Sequence, residues 1–411
     1  MLSRVDSLVG SVIEVEVGPV AHGGHCVARH EGRVVFVRHT LPGERVLARV
    51  TEGSDGRRFL RADAIEIIRA SADRVAAPCG YAGPGGCGGC DWQHVALEAQ
   101  RELKAAVVAE QLSRLAGLEV PVRVEAPGSN AEIADGLRWR TRVGFAVDPS
   151  GRAGLRRHRS HEVVGLTDCV IAAEALIGTG VLSTQWPGCR VVDAVAPSIG
   201  AALVLPDIGA GHPAVRERVE TMSWSGEFEV DARGFWQVHP KAAGILLARV
   251  LGELAPQAGD RVLDLYAGVG LFAVPLADAV GPAGSVVAVE SDPRASRLAA
   301  VNSADRPWLQ VHSARAERLG PDLGPADLVV LDPPRTGAGR EVIDTVCGLG
   351  ARRVVYVACD PAALARDLRY AADRGYALAG LTAYDLFPMT HHVECVATLD
   401  RTASADQVPV R

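Results

Sequence analysis

Between residues 9 and 68 apolar and polar positions alternate in short runs, SVIEVEV, GRVVFVRH and ERVLARV, broken by turns such as GPVAHGGH and LPGE. Period-two alternation puts every second side chain on one face of a strand, and several such strands predict a small β-barrel. The pattern lapses in CGYAGPGGCGGC, which holds too much glycine for an element interior and reads as a loop. A helix is predicted from about residue 95 to residue 115, then a strand-rich stretch to about Met222. From Val262 strands alternate with helices, in RVLDLYAGVG, SVVAVES, ADLVVLDPPR and RRVVYVACDP. That order predicts a doubly wound, mainly parallel sheet. YALAGLTAYDLFP and HHVECVATL end the pattern, and their short link, FPMT, predicts an antiparallel hairpin at one edge. The expected fold is therefore α/β: a barrel over 1–70, a strand-rich central region with the cysteine loop over 71–235, and a Rossmann-like domain over 236–411. The polar tail after Asp400 is expected to fray.

With 411 residues, 48% hydrophobic and 22% charged, the chain is long enough for two or three globular domains. MLSRVDSLVG lacks an apolar h-region, and no stretch approaches the roughly 20 apolar residues of a membrane span. A cytoplasmic, monomeric protein with no membrane partner is expected. Nine cysteines in such a chain point to metal binding or catalysis wherever they cluster. A net charge of -6 argues against general polyanion binding, but GLRWRTRVGFAVDPSGRAGLRRHRSHE departs from it. It sets Arg138, Arg140, Arg142, Arg152, Arg156, Arg157 and Arg159 against only Asp148 and Glu162. Alternation in RWRTRVGF is expected to put its arginines on one strand face, with Trp139 as a stacking surface and RRHRSH after a turn. RNA contact is the expectation; a solvated charged face is the alternative.

In DLYAGVG the glycines Gly268 and Gly270 close the turn after the first strand of the C-terminal sheet, so backbone can approach a ligand. Glu290 ends the second strand about twenty residues on, where an acid can hold ribose hydroxyls. A dinucleotide would fit that much, but Leu271 and Ala273 break the GxGxxG pattern, and S-adenosylmethionine fits better. Asp332 ends the fourth strand, and Pro333 and Pro334 turn the chain there and leave the carboxylate at the ligand edge.

Cys359 ends the fifth strand, beside Asp332 in sheet order. A free thiol is only a few per cent ionised at neutral pH, with a pKa of about 8.5, so a nucleophilic role needs help. The helix opening near Pro361 and the cation Arg335 are the candidates; packing is the alternative. A thiolate beside a methyl donor has a specific use, because adding it to C6 of uracil makes C5 nucleophilic. A base must then remove the C5 proton, and Glu394, set in the apolar run VECVATL, is the candidate.

FWQVHP, DLYAGVG, VVAVE, LDPPRTG, VYVACDPAALARD and PMTHHVECVATL together resemble the RNA uracil-5-methyltransferase family, in that family's order. The resemblance implies a class I methyltransferase fold, Cys359 as nucleophile and Glu394 as base. It implies Gln237, Tyr266, Glu290 and Asp332 as cofactor contacts, with Asp332 and Arg335 also near the uracil. The chain departs from the family at Ala267, at His239 where Asn is usual, and at ACDP where SCNP is usual. Asp360 in that motif adds a negative charge that would raise the thiol's pKa.

Cys79, Cys87 and Cys90 share the glycine-rich loop, and Cys169 lies in TDCVI. Zinc and an iron–sulfur cluster both accept four thiolates, and spacing does not separate them. The subfamily resembled here, 23S ribosomal RNA enzymes with an N-terminal TRAM barrel, implies a 4Fe-4S cluster and RNA binding by the barrel. The expected activity is methyl transfer to C5 of a uridine in 23S ribosomal RNA, with transfer RNA as the alternative. An amino-group methyltransferase and a catalytically dead RNA-binding module are the competing readings; neither needs Cys359 or Glu394.

Overall fold

The computed structural model describes residues 7–54, 57–128, 135–208, 211, 213–318 and 324–402; the tail beyond Thr402 lies outside them. Strands β1 (Val12–Val20), β2 (Cys26–His30), β3 (Arg33–Arg38), β4 (Arg45–Glu52) and β5 (Phe59–Arg69) form a closed barrel in the order β1-β2-β3-β5-β4. The alternation explains it: Val15, Val17, Val35, Val37, Val46, Ala48 and Leu60 all point into one core while their neighbours face out. Parallel pairing of β3 with β5 closes the barrel and leaves no free edge.

Helix α1 (Leu97–Gln111) continues through a π-turn at Leu112–Ala116 and leads to the short strand β6 (Val124–Glu125). The central sheet runs β11-β10-β7-β8-β9, built from β7 (Arg142–Val147), β8 (Ala153–Arg156), β9 (Val163–Gly165), β10 (Val191–Val195) and β11 (Leu203–Pro206). A short helix, α2 (Glu174–Ile177), precedes β10. The hairpin of β12 (Ala214–Glu220) and β13 (Ser225–Asp231) buries Val215, Val219, Phe228 and Val230 in the same core as the helix that follows, α3 (Ala242–Leu254).

The remaining elements are β14 (Arg261–Leu265), α4 (Ala273–Val280), β15 (Ser285–Glu290), α5 (Pro293–Asn302), β16 (Leu309–Ser313), β17 (Leu328–Leu331), α6 (Gly339–Gly348), β18 (Arg353–Ala358), α7 (Pro361–Ala372), β19 (Tyr376–Tyr384) and β20 (Glu394–Arg401). Their sheet has the order β16-β15-β14-β17-β18-β20-β19-β6. The five strands from β14 to β18 pair in parallel. Successive residues of one strand serve opposite layers. Val262, Leu328, Val330 and Val355 pack toward α3 and α4, while Leu263, Leu265, Val329 and Tyr356 pack toward α6 and α7. Burial on both faces is why these strands read as near-continuous apolar runs.

The expected terminal hairpin forms, with β20 antiparallel to both β18 and β19. Two details differ from expectation. The link is the longer loop 385–393, of which FPMT is only the middle, because Asp385 leaves the ladder to meet a lysine. The hairpin is also not the edge, since β6 pairs in parallel with Ala383 and Tyr384 and covers β19. No helix among the described residues is long and apolar enough to cross a membrane.

Helix α1 joins the units. Its Ala99 and Val107 share a core with the barrel, and Val108 shares one with the eight-stranded sheet. Lys104, fully buried between them, pairs with Asp385 and donates to the Phe387 carbonyl at 3.1 Å. Gln100 accepts from Met389 N–H at 2.8 Å and donates to Val95 O at 2.9 Å, so the loop before Glu394 is fastened along one helix face. Removing one partner of a buried ion pair strands the other charge in a medium that cannot solvate it. Asp385→Ala is therefore expected to cost roughly 3–5 kcal/mol in a urea titration, whereas Arg114→Ala at the exposed Arg114–Glu110 pair should change stability by less than about 1 kcal/mol.

Candidate active site

The parallel sheet reverses its strand order between β14 and β17, and the residues singled out in the sequence collect at the C-terminal ends of the strands around that point. After β14 the chain turns sharply: Tyr266, Gly268 and Gly270 adopt φ of 62°, 56° and 94°. Glu290, at the end of β15, accepts from Gly268 N–H at 2.9 Å and from Asp292 N–H at 2.6 Å. Its carboxylate thus ties the turn to the next helix. A Cβ placed on Gly268 would meet no atom within 4 Å, so the space above the turn is open. Gln237 lies buried, in the wall of a cleft of about 570 Å³ with Thr141, Trp236 and Pro240.

Asp264 belongs to this site although sequence reasoning quoted it only as part of DLYAGVG. It is fully buried, and neither carboxylate oxygen has a hydrogen-bond partner among the described residues. Burial, then the neighbouring charges of Asp332 and Glu290, hold its carboxyl well above the usual range. The Tyr266 hydroxyl is likewise buried without a partner, and burial pushes it up. Orphaned buried polar groups around an open glycine turn are what a bound cationic, hydroxyl-bearing cofactor would complete, so these residues fit S-adenosylmethionine.

Neighbouring strands bring the reacting groups together. β17 and β18 are adjacent, which sets Asp332 beside Cys359. Ala358 pairs with Cys395 across β18 and β20, so Cys359 and Glu394 face each other at the next position. Glu394 is 3% exposed, and burial followed by the Asp332 charge holds its carboxyl well above the usual value. Burial raises Asp332 to about 7. The Cys359 thiol is pushed up to about 12 by burial and by Glu394 and Asp332, with Arg335 opposing. The help expected from the helix opening at Pro361 goes elsewhere: the Asp360 carboxylate caps α7, accepting from Ala363 N–H at 2.8 Å.

The Arg335 loop is fixed from behind by buried Asp367, which accepts from Ala338 N–H at 2.7 Å and from the Tyr356 hydroxyl at 2.6 Å. In front, Arg335 donates to His392 Nε2 at 3.3 Å. Burial and the neighbouring cations push His392 down to about 3, so it is neutral and able to accept. The His391 ring lies 4.1 Å from it, tilted by 42°, and meets Asp91 at 2.6 Å. Neither histidine was singled out from the sequence, though the HH pair before VEC was the available signal.

Cys79, Cys87, Cys90 and Cys169 line one small apolar-walled cavity of about 20 Å³ with Leu155 and Ile171. Burial raises Cys87 and Cys169 and pushes Cys90 up to about 12. Among the described residues no three His, Cys, Asp or Glu side chains stand in a ready ligating arrangement. Four thiols line one cavity beside Arg140, whose pKa burial lowers with the neighbouring thiols opposing, and that donor set fits a thiolate-ligated centre. Ligation would have to draw the sulfurs in.

The arginine segment divides. The face expected from RWRTRVGF does not form, because the chain turns at Arg138 (φ 56°) and the strand begins only at Arg142. Trp139 is 1% exposed, stacked on His239 and edge-on to Phe387, so it offers no surface to a base. Arg142 is buried on Glu217 at 2.9 Å, and Arg138 grips Asp168 at 2.7 and 2.8 Å. These three, and Arg140, hold the fold together. Arg156, Arg157 and Arg159 are exposed as expected. Arg159 reaches Glu52 of the barrel at 3.1 Å and lies close to Arg61, whose guanidinium packs on Phe36 and Phe59. That barrel patch was not apparent in the sequence.

A TRAM domain model matches residues 6–65, and a family model described as tRNA (Uracil-5-)-methyltransferase matches residues 324–402. A protein of Streptomyces coelicolor described as an uncharacterized RNA methyltransferase is 51% identical, over 98% of this chain and 95% of its own. The 23S rRNA (uracil(1939)-C(5))-methyltransferase RlmD of Pseudomonas fluorescens is 35% identical, over 95% of each chain. The structure of Pyrococcus abyssi tRNA (uracil-54, C5)-methyltransferase in complex with S-adenosyl-L-homocysteine shares the fold. Its TM-score is 0.68 at 19% identity, covering 94% of this chain and 100% of that one.

The raised carboxyls have a consequence for stability. Asp332 titrates at about 7 when folded and at about 4 when unfolded. The unfolded chain therefore releases its proton first, and stability falls as pH rises from about 4 to about 7, then levels off. Glu394 is shifted in the same direction. Thermal melts of the ligand-free protein should show this decline, and Asp332→Asn should flatten it; parallel profiles for the two proteins would contradict the assignment.

Proposed function

The chain belongs to the RNA (uracil-5-)-methyltransferase family, in the branch that carries a TRAM barrel, and we propose that it methylates C5 of a uridine in 23S ribosomal RNA through a covalent Cys359 adduct. The observation that carries the reading is the meeting of Cys359 and Glu394 across β18 and β20, beside Asp332 and Arg335 and at the sheet edge where DLYAGVG turns. An amino-group methyltransferase has no use for a thiol opposite a buried carboxyl. Relatives of ribosomal RNA type that match the chain nearly end to end, barrel included, support the substrate.

Bound S-adenosylmethionine would supply an electrophilic methyl group. Glu290 would hold the ribose hydroxyls, with Tyr266 and Gln237 around the rest of the cofactor and Asp264 facing its cationic end. The Cys359 thiol gives up its proton to solvent, Sγ adds to C6, and the C5=C6 electron pair becomes an enolate stabilised toward O4 by Arg335. C5 would take the methyl group, the cofactor's sulfur keeping the electron pair of the broken bond as the neutral thioether. Glu394, as the carboxylate, then removes the C5 proton, the double bond re-forms, and the C6–S bond breaks to return the thiolate. A carboxyl held high by its surroundings is matched to taking a proton and losing it again near neutral pH. Once Asp332 is protonated, one of the two charges that oppose thiolate formation is gone, while Glu394 acts in its ionised form. Exposed Arg156, Arg157 and Arg159, with Arg61 on the barrel, would grip phosphate.

Mass spectrometry of RNA from a strain lacking the gene, treated with purified enzyme, should reveal new 5-methyluridine in the 23S fraction; its appearance only in transfer RNA would reassign the substrate. Cys359→Ala should abolish the activity. Glu394→Gln should slow turnover on the order of 10²–10⁴-fold while a protein–RNA adduct accumulates on denaturing gels. Full activity in Cys359→Ala would sink the covalent mechanism.

For the four cysteines the reading is a 4Fe-4S cluster that holds the loop in place, the methyl transfer itself requiring no electrons. Anaerobically purified protein should be brown, with equal iron and sulfide that Cys90→Ser removes. Zinc without sulfide would replace that assignment.

A further inference from the structure

We propose that the turn between β1 and β2 of the barrel is a wall of the base-receiving pocket, seated there by His22, a positioning residue acting through Asp360. The turn is held at three points, two of them in the C-terminal domain, at the start of α7 and in the loop 385–393. His22 Nε2 meets Asp360 Oδ2 at 3.0 Å, immediately after Cys359 and 338 residues away in sequence. Trp92 donates to the Gly24 carbonyl at 2.9 Å. At Gly24 (φ 81°) an added Cβ would lie 2.6 Å from the Cβ of His391, so the approach tolerates only glycine. His22, Gly23 and Gly24 thus form one side of a cavity whose other side is Cys359, Arg335 and His392. The barrel is part of the catalytic pocket as well as a carrier for RNA.

That cavity measures about 90 Å³, well below the roughly 300 Å³ at the lower end of ligand pockets. Admitting a nucleotide base therefore requires the turn to move, and reseating it would press the base toward the thiol. His22 is suited to reversible seating because it is partly exposed and its charge is conditional. Asp360 raises its pKa above the ordinary 6.5, with Glu110 of α1 adding to the effect and Arg366 of α7 opposing it. The pair is fully formed below about 6.5 and is lost as pH rises through the raised value. It also explains how Asp360 is accommodated beside the thiol: the cap of α7 and His22 absorb its charge.

The proposal rests on Cys359 meeting the base, but its test reads the pocket and not the chemistry. Full-length protein is labelled with a dipyridyl disulfide, which reacts with thiols in weak acid, and the Cys359 peptide is quantified by mass spectrometry. His22→Ala should label roughly two- to five-fold faster than wild type at pH 6, and the ratio should fall toward one by about pH 8.5 as the wild-type pair dissolves. Asp360→Asn should label faster too, and the double variant no faster than either single one. Gly24→Ala, which displaces the turn by contact alone, should label faster at every pH and keeps the test open if His22→Ala folds poorly. A ratio near one throughout, a ratio independent of pH, or an undiminished His22→Ala effect in the Asp360→Asn background would overturn the proposal. Failure of adduct trapping with this pH-dependent ratio intact would remove the covalent mechanism and leave the wall.

Discussion

Everything at the catalytic edge depends on two opposite charges taken out of water. Lys104 and Asp385 are both buried, and the desolvation each suffers is offset only while they stay together. The pair sits where α1, the barrel and the loop 385–393 converge, so it helps fix a segment that β-sheet hydrogen bonding does not reach. That segment carries His391 and His392 and delivers Glu394 to the start of β20. Sheet pairing alone sets Glu394 opposite Cys359 in register. The lysine holds the approach to it, and with it the histidine that receives Arg335.

The site is crowded with acids. Asp264, Asp332, Glu394 and the thiol of Cys359 all have their charged forms disfavoured, chiefly by burial and then by one another. An isolated enzyme in this condition keeps protons where an ionised site would repel itself. Among the described residues Arg335 is the cation that acts on the thiol, and α7, a potential second source of positive potential, is capped by Asp360. The arrangement keeps the Cys359 thiol in its neutral form.

Much of this was legible in the sequence. Strands buried on both faces must be apolar along their length, so polar residues at their ends, Glu290, Asp332 and Cys359, announce the ligand edge. The barrel was equally plain, because one wet face and one dry face leave a period of two. What failed was the step from a local pattern to exposure. RWRTRVGF alternates like a surface strand, yet Trp139 and Arg142 are buried by the β12–β13 hairpin and the 387 region, contacts that no window of sequence contains. His22 was invisible for the same reason: its partner lies at the other end of the chain. The four cysteines could be grouped by spacing, and the fold brings them to one cavity, but the arginine beside them came from tertiary packing.

Gly88 in the cysteine loop donates its N–H to Arg156 O at 2.9 Å, and a Cβ there would lie 2.6 Å from His158 N. The glycine is required by the arginine-bearing hairpin above it, the thiols by whatever they ligate. The two demands on CGGC are therefore separable in evolution. A descendant that lost the cysteines would still need the glycine, and the hairpin would keep its floor.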